Sequence, residues 1–315
     1  MKNLNRLTPA LKDYLWGGNR LAQSYHKDPG DLKIVAESWE LSTHPDGISK
    51  INDESLLDYV REHPEVLGTA CKTDDIPLLI KFIDAKGNLS IQVHPDDEYA
   101  RRVEHDNGKT EMWVIVDAEP GAFLYLGLKE KMTSEEFRKH IEDNTITNYL
   151  NYIPVHKGEV YLVVSRTLHA IGKGCLIMEI QERSNVTYRV YDYNRKDAQG
   201  HTRPLHIAKA EEVTRLEPYT VNPYPSQLIE TSENGRLELL RETDYFHVYS
   251  LQVLKELSID ADEKSFTSLT MTQNYGTVTC GDESVVLEQG QSLFIPAGAG
   301  KVTIHGVCEA IAARL

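Results

Sequence analysis

Leu89-Ser90-Ile91-Gln92-Val93-His94-Pro95-Asp96-Asp97 is the stretch on which the fold turns. Successive side chains of a strand alternate faces, so Leu89, Ile91 and Val93 point one way and Ser90, Gln92 and His94 the other. The spacing predicts a strand with one face packed and the other carrying an amide and an imidazole. Glu111 follows His94 by seventeen positions, within Lys109-Thr110-Glu111-Met112-Trp113. There Glu111 and Trp113 share a face, with Met112, Val114 and Val116 on the reverse. A neutral imidazole and a carboxylate on facing strands suit a divalent first-row metal, and zinc is the commonest user of such a set. A third ligand must come from elsewhere in the chain, and His169 is the candidate.

Outward from that stretch, the pattern is one of short strands with few helices. Pro77 to Ile83 is an almost continuous apolar run of strand length, leading into the His94 strand. On its N-terminal side, Tyr14-Leu15-Trp16-Gly17-Gly18 sets aromatics against a glycine turn, Ala36 to Leu41 alternates as a strand, and Ser55 to His63 reads as a helix capped by Ser55. Pro64 to Gly68 reads as a further helical turn that stops at glycine. On its C-terminal side, Asp96 to His105 is helix-compatible, and Thr133-Ser134-Glu135-Glu136 forms a capping box ahead of a helix through Phe137 to Ile141. Strands follow at Val160 to Val164, Leu176 to Gln181 and Val186 to Tyr193. Leu216 to Pro225 holds three prolines between Pro218 and Pro225 and is the expected linker. Beyond it, Phe246 to Leu254, Ser265 to Met271, Thr277 to Cys280, Ser284 to Leu287, Ser292 to Ile295 and Val302 to His305 recur at sandwich or barrel spacing.

The totals exclude several classes. With 315 residues, 40% apolar and 26% charged, the chain has room for one large domain or two ordinary ones. A net charge of −14 disfavours nucleic acid and anionic membrane as partners. An anionic small substrate would then need a local basic pocket. Cys71, Cys175, Cys280 and Cys308 are far apart and form no CxxC pair, so neither a disulfide framework nor a thiolate metal site is expected. No signal-peptide core and no spanning segment is apparent, and the expected setting is cytoplasmic.

Two segments 132 residues apart share a frame: Gly158-Glu159-Val160-Tyr161-Leu162-Val163-Val164-Ser165-Arg166-Thr167-Leu168-His169 and Gly290-Gln291-Ser292-Leu293-Phe294-Ile295-Pro296-Ala297-Gly298-Ala299-Gly300-Lys301. Each has a glycine turn, a short strand and a bend before its last position. The frame resembles the second motif of cupins, in which a glycine-led strand and a Pro-x-Gly bend precede a metal-binding histidine. The C-terminal copy keeps Pro296 and Gly298 but ends on Lys301. The first copy lacks both bend residues but ends on His169. One copy therefore reads as a metal site and the other as a structural shell. His26, His44, His63, His140, His201, His206, His247 and His305 are read as ordinary surface or core residues.

Ile80-Lys81-Phe82, Leu89 through Asp96 and Lys109-Thr110-Glu111-Met112, followed in order by His169-Ala170-Ile171, Glu179, Ser184 and Arg189, resemble the type I mannose-6-phosphate isomerase family in its short bacterial form. Tyr14-Leu15-Trp16-Gly17-Gly18 and Ala36-Glu37-Ser38-Trp39-Glu40 agree as well. Thr110 departs from the proline of larger relatives, and Tyr188-Arg189-Val190-Tyr191 from their Val-Val-Arg-Ala-Gly. The resemblance implies a mainly β chain of two cupin-type β-sandwich or barrel (jelly-roll) units with a few short helices. An N-terminal catalytic cupin domain would span 1–215, and a C-terminal degenerate cupin without metal ligands 216–315. It further implies one Zn2+ per chain surrounded by His94, Glu111, His169 and Gln92, with Gln92 a weak or indirect ligand. Arg189 would be the family's active-site arginine and Lys109 its conserved lysine, two before the glutamate ligand.

The implied reaction interconverts mannose 6-phosphate and fructose 6-phosphate through a cis-enediol. It needs a Lewis acid on the C1 or C2 oxygen and a group that moves a proton between the carbons. Glu179 and Lys109 are both candidates for that group. Arg189, on a face with Thr187 and Tyr191, would stabilise the intermediate or orient the sugar, against the plainer reading of an ion pair with Glu179 or Glu182. Arg195 with Lys196 is a candidate phosphate pair, against a solvated surface turn. Trp16 and Trp113 read as core or pocket wall. Competing readings are a cupin dioxygenase with iron on two histidines and a carboxylate, and a non-catalytic sugar-binding cupin module.

Overall fold

The computed structural model describes residues 2–196, 199–221 and 225–315. The chain is mainly β, as expected, and its contacts divide it into two compact units.

The unit formed by Asp13–Gly18 and Ile83–Pro223 contains the His94 stretch. Five of its strands lie side by side in the order Leu150–Pro154, Phe123–Leu128, His169–Ile171, Ile91–Val93 and Tyr188–Tyr191. Another run sets Val160–Val163 and Cys175–Glu182 on either side of Glu111–Ala118. The alternation read from the sequence decides which way the first sheet faces. Ile91 and Val93 are fully buried in one apolar cluster with Tyr188, Val190, Phe137, Ile141, Ala210 and Val213. Helices Ser134–Glu142 and Ile207–Val213 supply the last four of these and cover that face. The other face is left to Gln92 and His94.

The strand itself is shorter than its sequence pattern, Ile91–Val93 alone. Pro95 can give no ladder hydrogen bond, and the Asp96 side chain already accepts from the Tyr99 amide at 3.0 Å as the cap of helix Asp97–Val103. The expected capping box forms around Thr133 and Glu136. The expected linker begins inside the fold. Pro218 bridges to Leu128, and the Tyr219 amide donates to the Leu128 carbonyl at 2.8 Å. Asn222 to Tyr224 of that stretch lie outside the described residues.

The other unit comprises Met1–Lys12, Asn19–Phe82 and Tyr224–Leu315. Its larger sheet places strands His247–Val253, Cys308–Arg314, Thr267–Gln273 and Ser292–Ile295 in sequence across the sheet, then adds Asn5–Thr8 beyond Ser292–Ile295. A four-stranded sheet, Glu256–Ala261, Gly300–Gly306, Tyr275–Cys280 and Glu283–Glu288, encloses a core that includes Leu251, Leu269, Met271, Val278, Leu293 and Ile304. The C-terminal strands stand where their alternation put them. These compact units cut the chain differently from the expected division into 1–215 and 216–315. The reason is that Asn5 and Arg6 pair with Phe294 and Leu293, so the N-terminal strand extends the C-terminal sheet. A twofold split by sequence position cannot register that.

Candidate metal centre

Register brings the site together. Gln92 is the cross-strand partner of His169 on one side and of Arg189 on the other. Residues directly opposed in neighbouring strands project from the same face, so His169, Gln92 and Arg189 form a row on the face away from the apolar cluster. His94 lies two residues along from Gln92 on that face. From the other sheet, Glu111 sits opposite Val163 and Gln181. His94, Glu111 and His169 converge, with one candidate ligand atom from each within 4.8 Å of the others, and all three are buried.

The hydrogen-bond pattern tests whether this trio fits a metal. His94 Nδ1 is 2.8 Å from the Val186 carbonyl and His169 Nδ1 is 2.8 Å from the Thr167 carbonyl. A carbonyl only accepts, so each Nδ1 carries the proton and each Nε2 presents a lone pair. Those two Nε2 atoms are 3.1 Å apart. Glu111 Oε1 has no hydrogen bond among the described residues and lies 3.4 Å from His169 Nε2, while Oε2 lies 3.5 Å from His94 Nε2. Two lone pairs and an orphaned carboxylate oxygen facing one another in a buried space are costly unless a cation joins them. The donor set of two imidazoles and a carboxylate suits zinc with a position left open. Protonation states agree. Burial, aided by Lys109, lowers His94 to about 4. Burial likewise lowers His169. Burial pushes the Glu111 carboxyl upward, but Lys109 and the two histidines outweigh it and hold the group well below the carboxylate range.

Gln92 is at the edge of this set, with its side-chain nitrogen 3.4 Å from His169 Nε2. Turning the amide over would present its oxygen instead. Lys109 is buried beside the trio. Its ammonium contacts Glu111, approaches His94 Nε2 at 3.2 Å and reaches Glu179 Oε1 at 3.4 Å. The Trp113 indole N–H donates to Glu179 Oε2 at 2.8 Å, and its ring stands edge-on to His169 with centroids 5.5 Å apart. Trp113 is thus more than the expected wall.

The echo between residues 158–169 and 290–301 has a backbone counterpart. Gly158 and Gly290 take φ of 89° and 83°, and Gly298 takes 77°. The position 132 residues before Gly298 is Arg166, and it too is left-handed, at 71°. The first copy therefore keeps the bend without the glycine. Contacts hold it there: the Arg166 amide donates to the His94 carbonyl at 2.7 Å, and Nε donates to the Val213 carbonyl at 2.9 Å. Lys301, at the position of His169, is exposed. Among the described residues no second metal-ligating group of this kind occurs.

The cationic candidates separate. Arg189 is half-buried; one terminal nitrogen donates to the Pro204 carbonyl at 3.0 Å, and its buried Nε has no partner among the described residues. No ion pair joins it to Glu179 or Glu182 among the described contacts, against the plainer reading. Glu182 instead accepts from the Thr110 amide at 2.6 Å. Arg195 is tied to Asp192 and to the Asn88 carbonyl, while Lys196 is exposed and bridges to Thr202. Arg203, absent from the sequence candidates, gives Asp192 two hydrogen bonds of 2.8 and 2.6 Å. A signal for it was present: Arg189, Arg195, Lys196 and Arg203 crowd into one stretch of a strongly acidic chain.

Residues 4–119 match the family described as phosphomannose isomerase type I, catalytic domain, and residues 237–315 match the mannose-6-phosphate isomerase cupin domain. A probable mannose-6-phosphate isomerase of Bacillus subtilis is 36% identical over 96% of both chains. A mannose-6-phosphate isomerase of Streptococcus mutans is 35% identical over 95% of this chain and 94% of its own. The crystal structure of a Bacillus subtilis mannose 6-phosphate isomerase superposes with a TM-score of 0.92 at 32% identity, covering all of both chains.

Proposed function

The chain belongs to the type I mannose-6-phosphate isomerase family, and from that premise we propose that it interconverts mannose 6-phosphate and fructose 6-phosphate at one zinc held by His94, Glu111 and His169. The observation that carries this reading is the buried meeting of two imidazole lone pairs and an unpartnered carboxylate oxygen. Gln92 would border the same ion as a weaker partner. The ion would supply Lewis-acid polarisation of a sugar oxygen.

The protein's own groups do the rest. Lys109 and Glu179, 3.4 Å apart, form the pair that takes a proton from C2 of the open-chain aldose and returns it to C1 through a cis-enediol, with the reverse path for the ketose. Trp113 holds one Glu179 oxygen, which leaves the other directed at Lys109. Burial of the pair keeps bulk water from exchanging the migrating proton.

Arg189 faces the anionic substrate from the same row as Gln92 and His169. Burial lowers its pKa, and the charges of Arg203 and Arg195 push the same way, with the single carboxylate of Asp192 opposing them. Such an accumulation of positive charge favours an anion at its open side, and the substrate phosphate meets Arg189 there with Arg203 and Arg195 behind it. This replaces the pairing of Arg195 with Lys196. The catalytic role belongs to the cupin that carries His169, and the C-terminal cupin serves as a shell, with no metal-ligating group among its described residues. A cytoplasmic setting completes the reading, supported by four free cysteines; no helix among the described residues is long and apolar enough to cross a membrane.

A coupled assay on mannose 6-phosphate tests the reading. Turnover by zinc-loaded protein, lost with a chelator and restored by zinc, is expected. Absence of turnover by the zinc-loaded protein would overturn it.

A further inference from the structure

Arg189 is held from the side opposite Gln92. Strand Tyr188–Tyr191 is the edge of its five-stranded sheet, with Ile91–Val93 on its inner side. An edge strand turns a row of N–H and C=O groups outward with no strand to meet them. In an antiparallel ladder the N–H and C=O of one residue point to the same side. Arg189 sends both outward, and both meet His206. Its amide donates to His206 Nδ1 at 3.0 Å, and its carbonyl accepts from the His206 amide at 2.8 Å. The imidazole stands in for the carbonyl that a further strand would have offered.

The same segment fastens the side chain. The Pro204 carbonyl accepts from Arg189, and Arg203 clasps Asp192, three residues beyond Arg189. His206 also opens helix Ile207–Val213, but its side chain makes no capping hydrogen bond there. Its imidazole is therefore committed to the strand and not to the helix.

From this geometry we infer that His206 is a positioning residue for the proposed reaction: its imidazole completes the edge of the sheet at Arg189 and fixes where the guanidinium stands. The inference rests on the role given to Arg189 above. The ring must be neutral at Nδ1 to accept the amide. The charged groups acting on it are Arg189, Lys209 and Glu104, and burial together with the two cations lowers its pKa. Tyr188 packs against it, with ring centroids 6.3 Å apart.

The test uses His206→Leu, His206→Asn, Arg189→Ala and the double variant His206→Leu/Arg189→Ala, each assayed with mannose 6-phosphate and checked for zinc content and unfolding midpoint. His206→Leu should lower kcat about tenfold to a hundredfold, the cost of displacing a positioned group by about an ångström, with zinc content unchanged. His206→Asn should recover most of that loss, because its amide oxygen can accept the same N–H. In the Arg189→Ala background, His206→Leu should cost nothing further. Wild-type kcat in His206→Leu, no rescue by Asn, or an equal loss in the Arg189→Ala background would each overturn the inference while leaving the isomerase reading intact. Full activity of Arg189→Ala would instead remove the role of Arg189, and the inference with it. Inactive zinc-loaded wild-type protein would point to failure of the isomerase reading itself.

Discussion

His94 Nε2 and His169 Nε2 lie 3.1 Å apart in a fully buried space, the Nδ1–H of each ring donating to a backbone carbonyl. The Val186 and Thr167 carbonyls therefore choose the tautomers, and the tautomers leave two lone pairs converging on Glu111. Replacing either histidine by alanine should abolish stoichiometric zinc binding and reduce turnover by at least about a thousandfold, since the Lewis acid would be lost with its ligand. Metal analysis of the purified variants beside the coupled assay measures both. A variant that lacks zinc and keeps its turnover would separate the trio from the chemistry.

Trp113 and Glu179 give a subtler expectation. The indole N–H donates to Glu179 Oε2 at 2.8 Å, opposite the oxygen that faces Lys109. Trp113→Phe keeps most of the packing but removes that donor, and kcat should fall about tenfold with zinc retained. Glu179→Gln and Lys109→Met should fall further, by about a hundredfold to ten-thousandfold, the range of general acid–base catalysis. Steady-state kinetics on zinc-loaded variants decides the order.

Glu182 should give the folded protein a pH-dependent weakness. Burial, reinforced by Asp97, raises its pKa to about 7, although the Thr110 amide opposes the shift. An acid whose pKa is raised on folding favours the folded state most below its unfolded value near 4.5. That contribution is lost as pH rises through about 7. Stability should thus decline from this source between about pH 4.5 and 7, and Glu182→Gln should flatten the decline and unfold later than the wild type at pH 8. Denaturant unfolding across that range reads it; an identical pH profile in the variant would contradict it.

Arg166 carries its backbone at φ 71° without being glycine. Arg166→Ala and Arg166→Gly both lose the bond to the Val213 carbonyl, but only glycine is relieved of the left-handed penalty. Arg166→Gly should therefore be more stable than Arg166→Ala by about 1 kcal/mol, as measured by denaturant midpoints. Equal midpoints would mean that the bend carries no strain.

Period-two alternation was enough to place Gln92 and His94 on one face and Ile91 and Val93 on the other, because burial enforces that pattern locally. The capping box at Thr133 was readable for the same reason: all its atoms lie within four residues. The pairing of Asn5 with Phe294 was not readable, since nothing near either residue encodes a partner 289 positions away. Arg166 hid the bend because its left-handed turn is held by distant contacts and not by glycine. His206 looked ordinary because its partner is a backbone amide at a sheet edge, and sequence carries no mark of which strand becomes an edge. Arg203 was hidden in a loop without periodicity, though the local excess of arginine in an acidic chain pointed toward it.

The most direct test of the zinc assignment is anomalous scattering at the zinc edge from crystals of catalytically active protein. The account predicts one strong peak per chain, about 2.0–2.2 Å from His94 Nε2, His169 Nε2 and a Glu111 carboxylate oxygen. A peak bound elsewhere, or active crystals with no zinc between these three side chains, would contradict it.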